Sequence, residues 1–427
     1  MFETFRNAFK AEELRKKILY TLLIIVIFRL GAAIPVPFLD ASVLNNIMEQ
    51  YSGTFLEYLN IMTGGALSQA TLFAMSITPY INASIIIQLL TVAIPALERM
   101  QKEGESGRKK LQKITRYTTL GLALVQALGY YLMLKNQLHA VSPSTGFEGV
   151  FAAVVIITTF TAGTALIVWL GERITEKGIG NGISIILFAG IISRGPDAIR
   201  ALINWWQTGQ YVMTILIPII FLLMIALIVL MTNAERRIPV QYAKRVVGRR
   251  MYGGQSTHIP IKVSMSGVMP IIFASSLMSI PSMIATFVNV KEGGFWDSFL
   301  GLFQHDSWFY AIFYFVLIIG FNFFYVAIQY NPVEIANNLR KNNGAIPGIR
   351  SGNPTSTYIS KVLSKITVVG AIFLGVIAVF PILFTVISGV NISLGGTSIL
   401  IIVGVALDTM RSLESQMMMR HHKGFLE

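Results

Sequence analysis

The chain has 427 residues, of which 54% are hydrophobic and only 13% charged, with a mean hydropathy of +0.63. An ordinary soluble domain is about 25% charged, so this balance excludes a soluble globular protein and indicates one whose solvent is lipid. The net charge of +13 must then sit outside the apolar spans, and the absence of cysteine removes disulfide frameworks, thiol nucleophiles and sulfur metal sites.

Charge-free windows locate the crossings, because an ionisable side chain at mid-bilayer costs about 2.5–3.5 kcal/mol on insertion scales. The first window, 18–34, is interrupted only by Arg29, which is expected to snorkel to the outer interface. It follows a basic segment and precedes many further spans, so no cleavable leader is expected. The second window, 58–97, begins with "NIMTGGALSQA" at 60–70. That stretch is too short and too glycine-rich to span, and it is expected to re-enter from the outer side. Backbone at membrane depth must be buried in protein or line a cavity, and a segment so poor in large apolar groups has few contacts to hold it. Its residues Asn60, Ile61, Met62, Thr63, Gly64, Gly65, Ala66 and Leu67 read as something that sits in a cavity and can leave.

Further along the same window, Ile77, Ile81, Ser84 and Gln88 recur at helical spacing and share one face, apolar at one level and polar beyond it. Thr78 and Asn82 lie one position round, where they can meet a neighbouring helix. Pro79 is expected to kink the helix or mark a joint. Windows 117–134, 149–171, 178–193, 201–234, 263–290, 307–333 and 366–407 follow. "GIGNG" opens the window at 178–193 and is expected to shape the start of a helix there. A crossing helix needs about 20 residues, so the last window holds two, turning at "SGVNISLGG". Ten helices result.

Alternate loops carry 29 of the 34 Lys and Arg residues, which places both termini in the cytoplasm by the positive-inside rule. Two cytoplasmic loops are long, 235–262 and 331–365, and long ordered loops tend to be functional. The first reads as a hairpin, "VQYAKRVV" returning as "STHIPIK". The second starts with a helix capped by Asn331 and Pro332 and ended by Gly344, then turns at "PGIRSG" with Arg350 at its tip. Their basic residues suit RNA phosphates or an acidic protein surface.

No catalytic motif or metal-ligand spacing occurs, and all five histidines lie in loops or the tail. An intramembrane enzyme would need a nucleophile and base facing each other. A secondary transporter of a small solute, the competing reading, would need ionisable groups near mid-depth. A pore closed by an apolar constriction fits these bare spans better.

"GGALSQATLFAMSITPYINASIIIQLL", "KEGESGRKK", "GIGNGISIILFAGI", "YAKRVVGRRMYGGQSTHIPIKVSMSGVMPIIFASS", "GIRSGNPT" and "LGGTSILIIVGVALD" together resemble the bacterial SecY family, from the first span to the tenth. The resemblance implies an all-α polytopic membrane protein. Ten transmembrane helices would form two inverted pseudo-symmetric halves, 1–197 and 198–427, around an hourglass pore with a short re-entrant plug helix at about 58–70. It implies a protein-conducting channel for unfolded secretory polypeptides, with a lateral gate that releases signal or transmembrane helices into lipid. The pore ring would be Ile77, Ile81, Ile183, Leu187, Ile272 and Ile401. The gate would be Thr78, Asn82 and Gln88 against Ser275, Ser276 and Ile280. Arg236, Arg237, Lys244, Arg249, Arg250 and Arg350 would dock the motor ATPase SecA or the ribosome, with SecE and SecG as small partner subunits. The location implied is the bacterial plasma membrane, with no cofactor, and the energy would come from a partner.

Overall fold

A computed structural model describes residues 9–40, 60, 63–136, 139–142, 146–242, 245–247, 250–252, 256–287, 299, 301–303, 307–388 and 396–423. Among these, apolar helices stand in all nine expected windows, two of them in the last. In chain order the helices are α1 (Glu12–Gly31), α2 (Thr78–Ala93), α3 (Pro95–Lys102), α4 (Glu105–Asn136), α5 (Gly146–Lys177), α6 (Gly182–Ile192), α7 (Gly195–Gln207) and α8 (Tyr211–Asn233). The strands β1 (Glu235–Tyr242), β2 (Arg245–Val247), β3 (Arg250–Tyr252) and β4 (Ser256–Lys262) follow, then α9 (Met269–Phe287), α10 (Trp308–Gln329), α11 (Pro332–Lys341), β5 (Gly344–Ala345), α12 (Asn353–Ser388) and α13 (Gly396–Lys423). Six helical segments are long and apolar enough to cross a membrane, and a seventh if α2 and α3, bent by 101° at their junction, are taken together.

Several helices run well past their apolar windows. Helix α4 begins at Glu105 and α12 at Asn353, because a helix that leaves lipid can continue with solvated Lys and Arg side chains. Outward faces are apolar: α8 buries only Met224 and Ile228, as expected where the surroundings are hydrocarbon rather than water.

Three large clusters make the interior. One joins α4 and α5 to Val36, Leu67, Ala70 and Ala74. Another joins α8, α9, α10, α12 and α13. Between them lies a third, shared by α1, α2, α5 and α6 from one part of the chain and by α9 and α13 from the other.

The two long loops are built as expected and joined in a way not foreseen. Strand β1 pairs antiparallel with β4, Glu235 opposite Lys262, so the expected hairpin is present. Asn331 accepts hydrogen bonds from the Val333 and Glu334 amides and caps α11. That helix stops before Gly344: Asn343 takes the left-handed turn at φ 54°, a conformation asparagine tolerates. Gly344 instead enters β5, which pairs with β1, Tyr242 opposite Gly344. Both loops therefore form one three-stranded sheet, β4-β1-β5, whose buried Ile238, Val240 and Ile261 pack on Leu339, Ile346, Ile359 and Leu363.

Candidate functional site

Ile77 lies just before α2, whose first turn holds Pro79. Of the two expectations, kink or joint, the joint is found: Pro79 stands at the start of α2, where a proline in the first turn has no intrahelical bond to lose. The Ile81 amide donates to the Ile77 carbonyl at 3.0 Å, so the two isoleucines still stand one turn apart on one face. On α6, Asn181 caps the start through the Ile183 and Ser184 amides. A Cβ on Gly182 would lie 1.9 Å from the Gly171 carbonyl oxygen, so only glycine lets α6 approach α5 this closely. Ile272 comes from α9 and Ile401 from α13.

Five of these residues, Ile77, Ile81, Leu187, Ile272 and Ile401, are buried in the central cluster, and Ile183 packs against it. Ile77 is 0% and Ile401 1% exposed. The six residues themselves are all aliphatic.

Ala66 belongs to the same cluster, so the expected stopper segment shares a buried core with the expected ring residues. Of the expected short helix at about 58–70, Asn60 is helical and the described residues 63–70 are a series of turns. Gly64 and Gly65 take positive φ, 67° and 88°, and side chains supply the bonds a helix would have made. Thr63 Oγ1 donates to the Asn60 carbonyl at 3.0 Å, and Asn60 Oδ1 accepts from the Ser68 amide at 3.0 Å. Ile61 and Met62 lie outside the described residues.

Helices α2 and α9 pack directly on each other, and α9 also touches α4. Along this seam Thr78, Asn82 and Gln88 are half-buried, Ser275 and Ser276 buried, and Ile280 43% exposed. Among the described residues no hydrogen bond runs from Thr78, Asn82 or Gln88 to the facing helix. Ser275 Oγ donates within its own helix, to the Ile272 carbonyl at 2.9 Å. The start of α9 is tied elsewhere: Ser266 Oγ donates to Asn322 Oδ1 of α10, whose Nδ2 donates to the Thr367 carbonyl of α12 at 3.1 Å.

Residues scattered over most of the chain are thus brought into one buried apolar cluster that also holds Ala66, with α2 packed on α9. The SecY family model matches residues 71–410. The chain belongs to the SecY family. It is 46% identical to the protein translocase subunit SecY of Streptomyces griseus, over the full length of both chains. Its fold is similar to a SecY channel whose plug domain is described as stabilising the closed state and maintaining a membrane seal, with TM-score 0.66, 19% identity and coverage of 94% of this chain and 92% of that one. It is also similar to Sec61 in the canine ribosome–channel complex, with TM-score 0.62, 18% identity and the same coverages.

Among the basic residues implied by the SecY resemblance, Arg236 and Arg237 are exposed on β1 and Arg237 pairs with Glu235 at 2.7 Å. Arg350 is exposed between Gly348 and Gly352, both left-handed at φ 79° and 107°. Lys244 and Arg249 lie outside the described residues; Arg250 is placed only as the first residue of β3.

Two polar contacts escaped the sequence reading. Glu172 of α5 is buried and takes both a hydrogen bond from Arg116 Nε at 2.6 Å and an ion pair with its Nη2 at 2.5 Å, with Gln112 Nε2 donating at 3.2 Å. These residues bound the charge-free windows, so they read as loop charges. Arg29, expected to snorkel to the outer interface, is half-buried, and its Nη1 donates to Ser193 Oγ at 2.9 Å. Helices α1 and α6 pack together, and that hydroxyl is within reach of the guanidinium.

Proposed function

We propose that Ile77, Ile81, Ile183, Leu187, Ile272 and Ile401 line the constriction of a protein-conducting channel, that 60–67 is its outer stopper, and that α2 and α9 are its lateral gate. As a SecY-family member the chain is the channel subunit of a protein translocase and not an enzyme, so a partner supplies the energy. The observation carrying the ring and stopper is the meeting of aliphatic side chains from separate elements in one cluster that also contains Ala66. Flexible aliphatic groups close round a chain of variable width, and an apolar constriction with nothing inside it dewets and hinders ions.

The gate assignment is supported by the direct packing of α2 on α9 and by Thr78, Asn82 and Gln88, which among the described residues make no hydrogen bond to α9. Interhelical polar contacts in bilayers average about 0.6 kcal/mol, so a seam with few of them is opened at small cost. A signal helix then enters lipid by apolar transfer, about 25 cal/mol per Å².

In this reading ten helices cross the bacterial plasma membrane as two inverted halves, 1–197 and 198–427, with both termini cytoplasmic. SecE and SecG accompany the channel, and SecA or the ribosome docks on the joined loops through Arg236, Arg237, Lys244, Arg249, Arg250 and Arg350. The basic surface would provide the electrostatic part of docking.

Replacing Ile81 or Ile272 with Asn tests the constriction. Expected in reconstituted vesicles are a raised resting ion conductance and export of substrates with defective signal sequences. Parental conductance and parental rejection of those substrates would remove the ring assignment.

A further inference from the structure

We propose that Arg29 and Ser193 form a polar latch that holds the stopper at Gly64 to the amino-terminal half, so that the stopper leaves in a step separate from the parting of α2 and α9. This inference rests on the stopper reading above.

Arg29 stands in the last turn of α1 and Ser193 caps the end of α6. The guanidinium donates to Ser193 Oγ at 2.9 Å and lies 3.5 Å from the Gly64 carbonyl oxygen, while Ser193 Oγ donates onward to the Gly190 carbonyl at 2.6 Å. Among the described residues no carboxylate pairs with Arg29, so its charge is held by neutral oxygens. Hydrogen bonds of this charged kind are about twice as strong as neutral ones.

The glycine geometry is an independent sign that the segment is seated in this corner. A Cβ on Gly64 would come within 2.6 Å of Ser193 Oγ, 2.8 Å of Arg29 Nη1 and 2.8 Å of the Gly190 oxygen, and its φ is +67°. Backbone and latch therefore occupy adjoining space with no room for a side chain.

The base of the segment is fixed separately. The Val36 amide donates to the Ala70 carbonyl and the Leu72 amide to the Ile34 carbonyl, both at 2.9 Å. These bonds stitch the base to the chain leaving α1, and the latch grips the stopper six residues further out. Helices α1 and α6 both precede residue 198, and α9 contributes none of the latch groups. Movement of α9 away from α2 leaves every one of these bonds intact.

The chain has no cysteine, so Ala66→Cys, at a site 1% exposed, gives a single thiol that reports undocking. The full chain in lipid vesicles is treated with a membrane-impermeant maleimide from the outer side, while spin labels at Leu90 and Leu277 in a parallel sample report the α2–α9 separation. Arg29→Gln and Ser193→Ala are each expected to speed thiol modification about tenfold, the order of one charge-assisted hydrogen bond, with the spin-label distance unchanged and the double variant no faster than Arg29→Gln alone. Arg29→Lys, which keeps the charge but loses the fork, is expected in between. Parental protection in both Arg29→Gln and Ser193→Ala overturns the latch, as does a widened spin-label distance accompanying every rise in modification. Should Arg29→Gln not assemble, Ser193→Ala carries the test alone. Deletion of 60–67 separates the two ideas: unchanged resting conductance in the deletion sinks the stopper itself, whereas a leaky deletion beside protected Arg29→Gln and Ser193→Ala sinks only the latch.

Discussion

Ile81 shows how much of the account turns on single side chains. It is 9% exposed within the central cluster, and an isoleucine buried to that degree contributes about 1.5–3 kcal/mol. Its exchange for Asn both loses this and wets the ring, so the closed state weakens before the fold does. Arg350 is the contrasting case. It is exposed in a turn between two left-handed glycines, and among the described residues its side chain makes no hydrogen bond or ion pair. Arg350→Glu is expected to abolish motor-driven translocation in reconstituted vesicles while leaving thermal unfolding within about 0.5 kcal/mol of the parent, as for other exposed substitutions. Full translocation activity would remove Arg350 from the docking surface.

Elements are held in place by a few close contacts. Gly182→Ala would drive a methyl into the Gly171 carbonyl, which the described 1.9 Å separation does not admit. The expected cost is about 1–3 kcal/mol from overpacking, read as a lowered unfolding midpoint in detergent, with Ser184→Ala unchanged as a control. Between α4 and α5 the Arg116–Glu172 pair is the corresponding polar tie. Arg116→Ala leaves the buried Glu172 carboxylate with Gln112 Nε2 as its remaining donor, so the cost should fall below the about 3–5 kcal/mol typical of breaking a fully buried pair. Adding Glu172→Gln should recover part of that loss. Equal midpoints for the single and double variants would show that the pair does not act as a buried unit.

At the scale of the whole molecule, the spans were legible because ionisable groups are expensive in lipid and their absence can be read directly. Some helix ends were not, since solvated Lys109, Lys110 and Lys113 continue α4 beyond lipid at no cost. The glycine-rich stopper was legible as a non-spanning segment, yet its turns depend on Asn60 and Thr63 bonding to backbone, which glycine content alone does not specify. Nor could Arg29 be paired with Ser193 or β1 with β5, because these partners lie 164 and about 100 residues apart and have no periodic signal. What composition cannot encode is which distant faces meet, and the central cluster that holds the proposed ring is built from such meetings.

Site-specific photocrosslinking to an export substrate stalled midway tests the ring most directly. A photoreactive residue in place of Ile81, Ile272 or Ile401 is expected to label the stalled polypeptide, while one in place of Leu223, 57% exposed on α8, labels lipid only. Labelling of lipid from the three isoleucine positions, with none of the stalled chain, would contradict a passage through the centre of this fold.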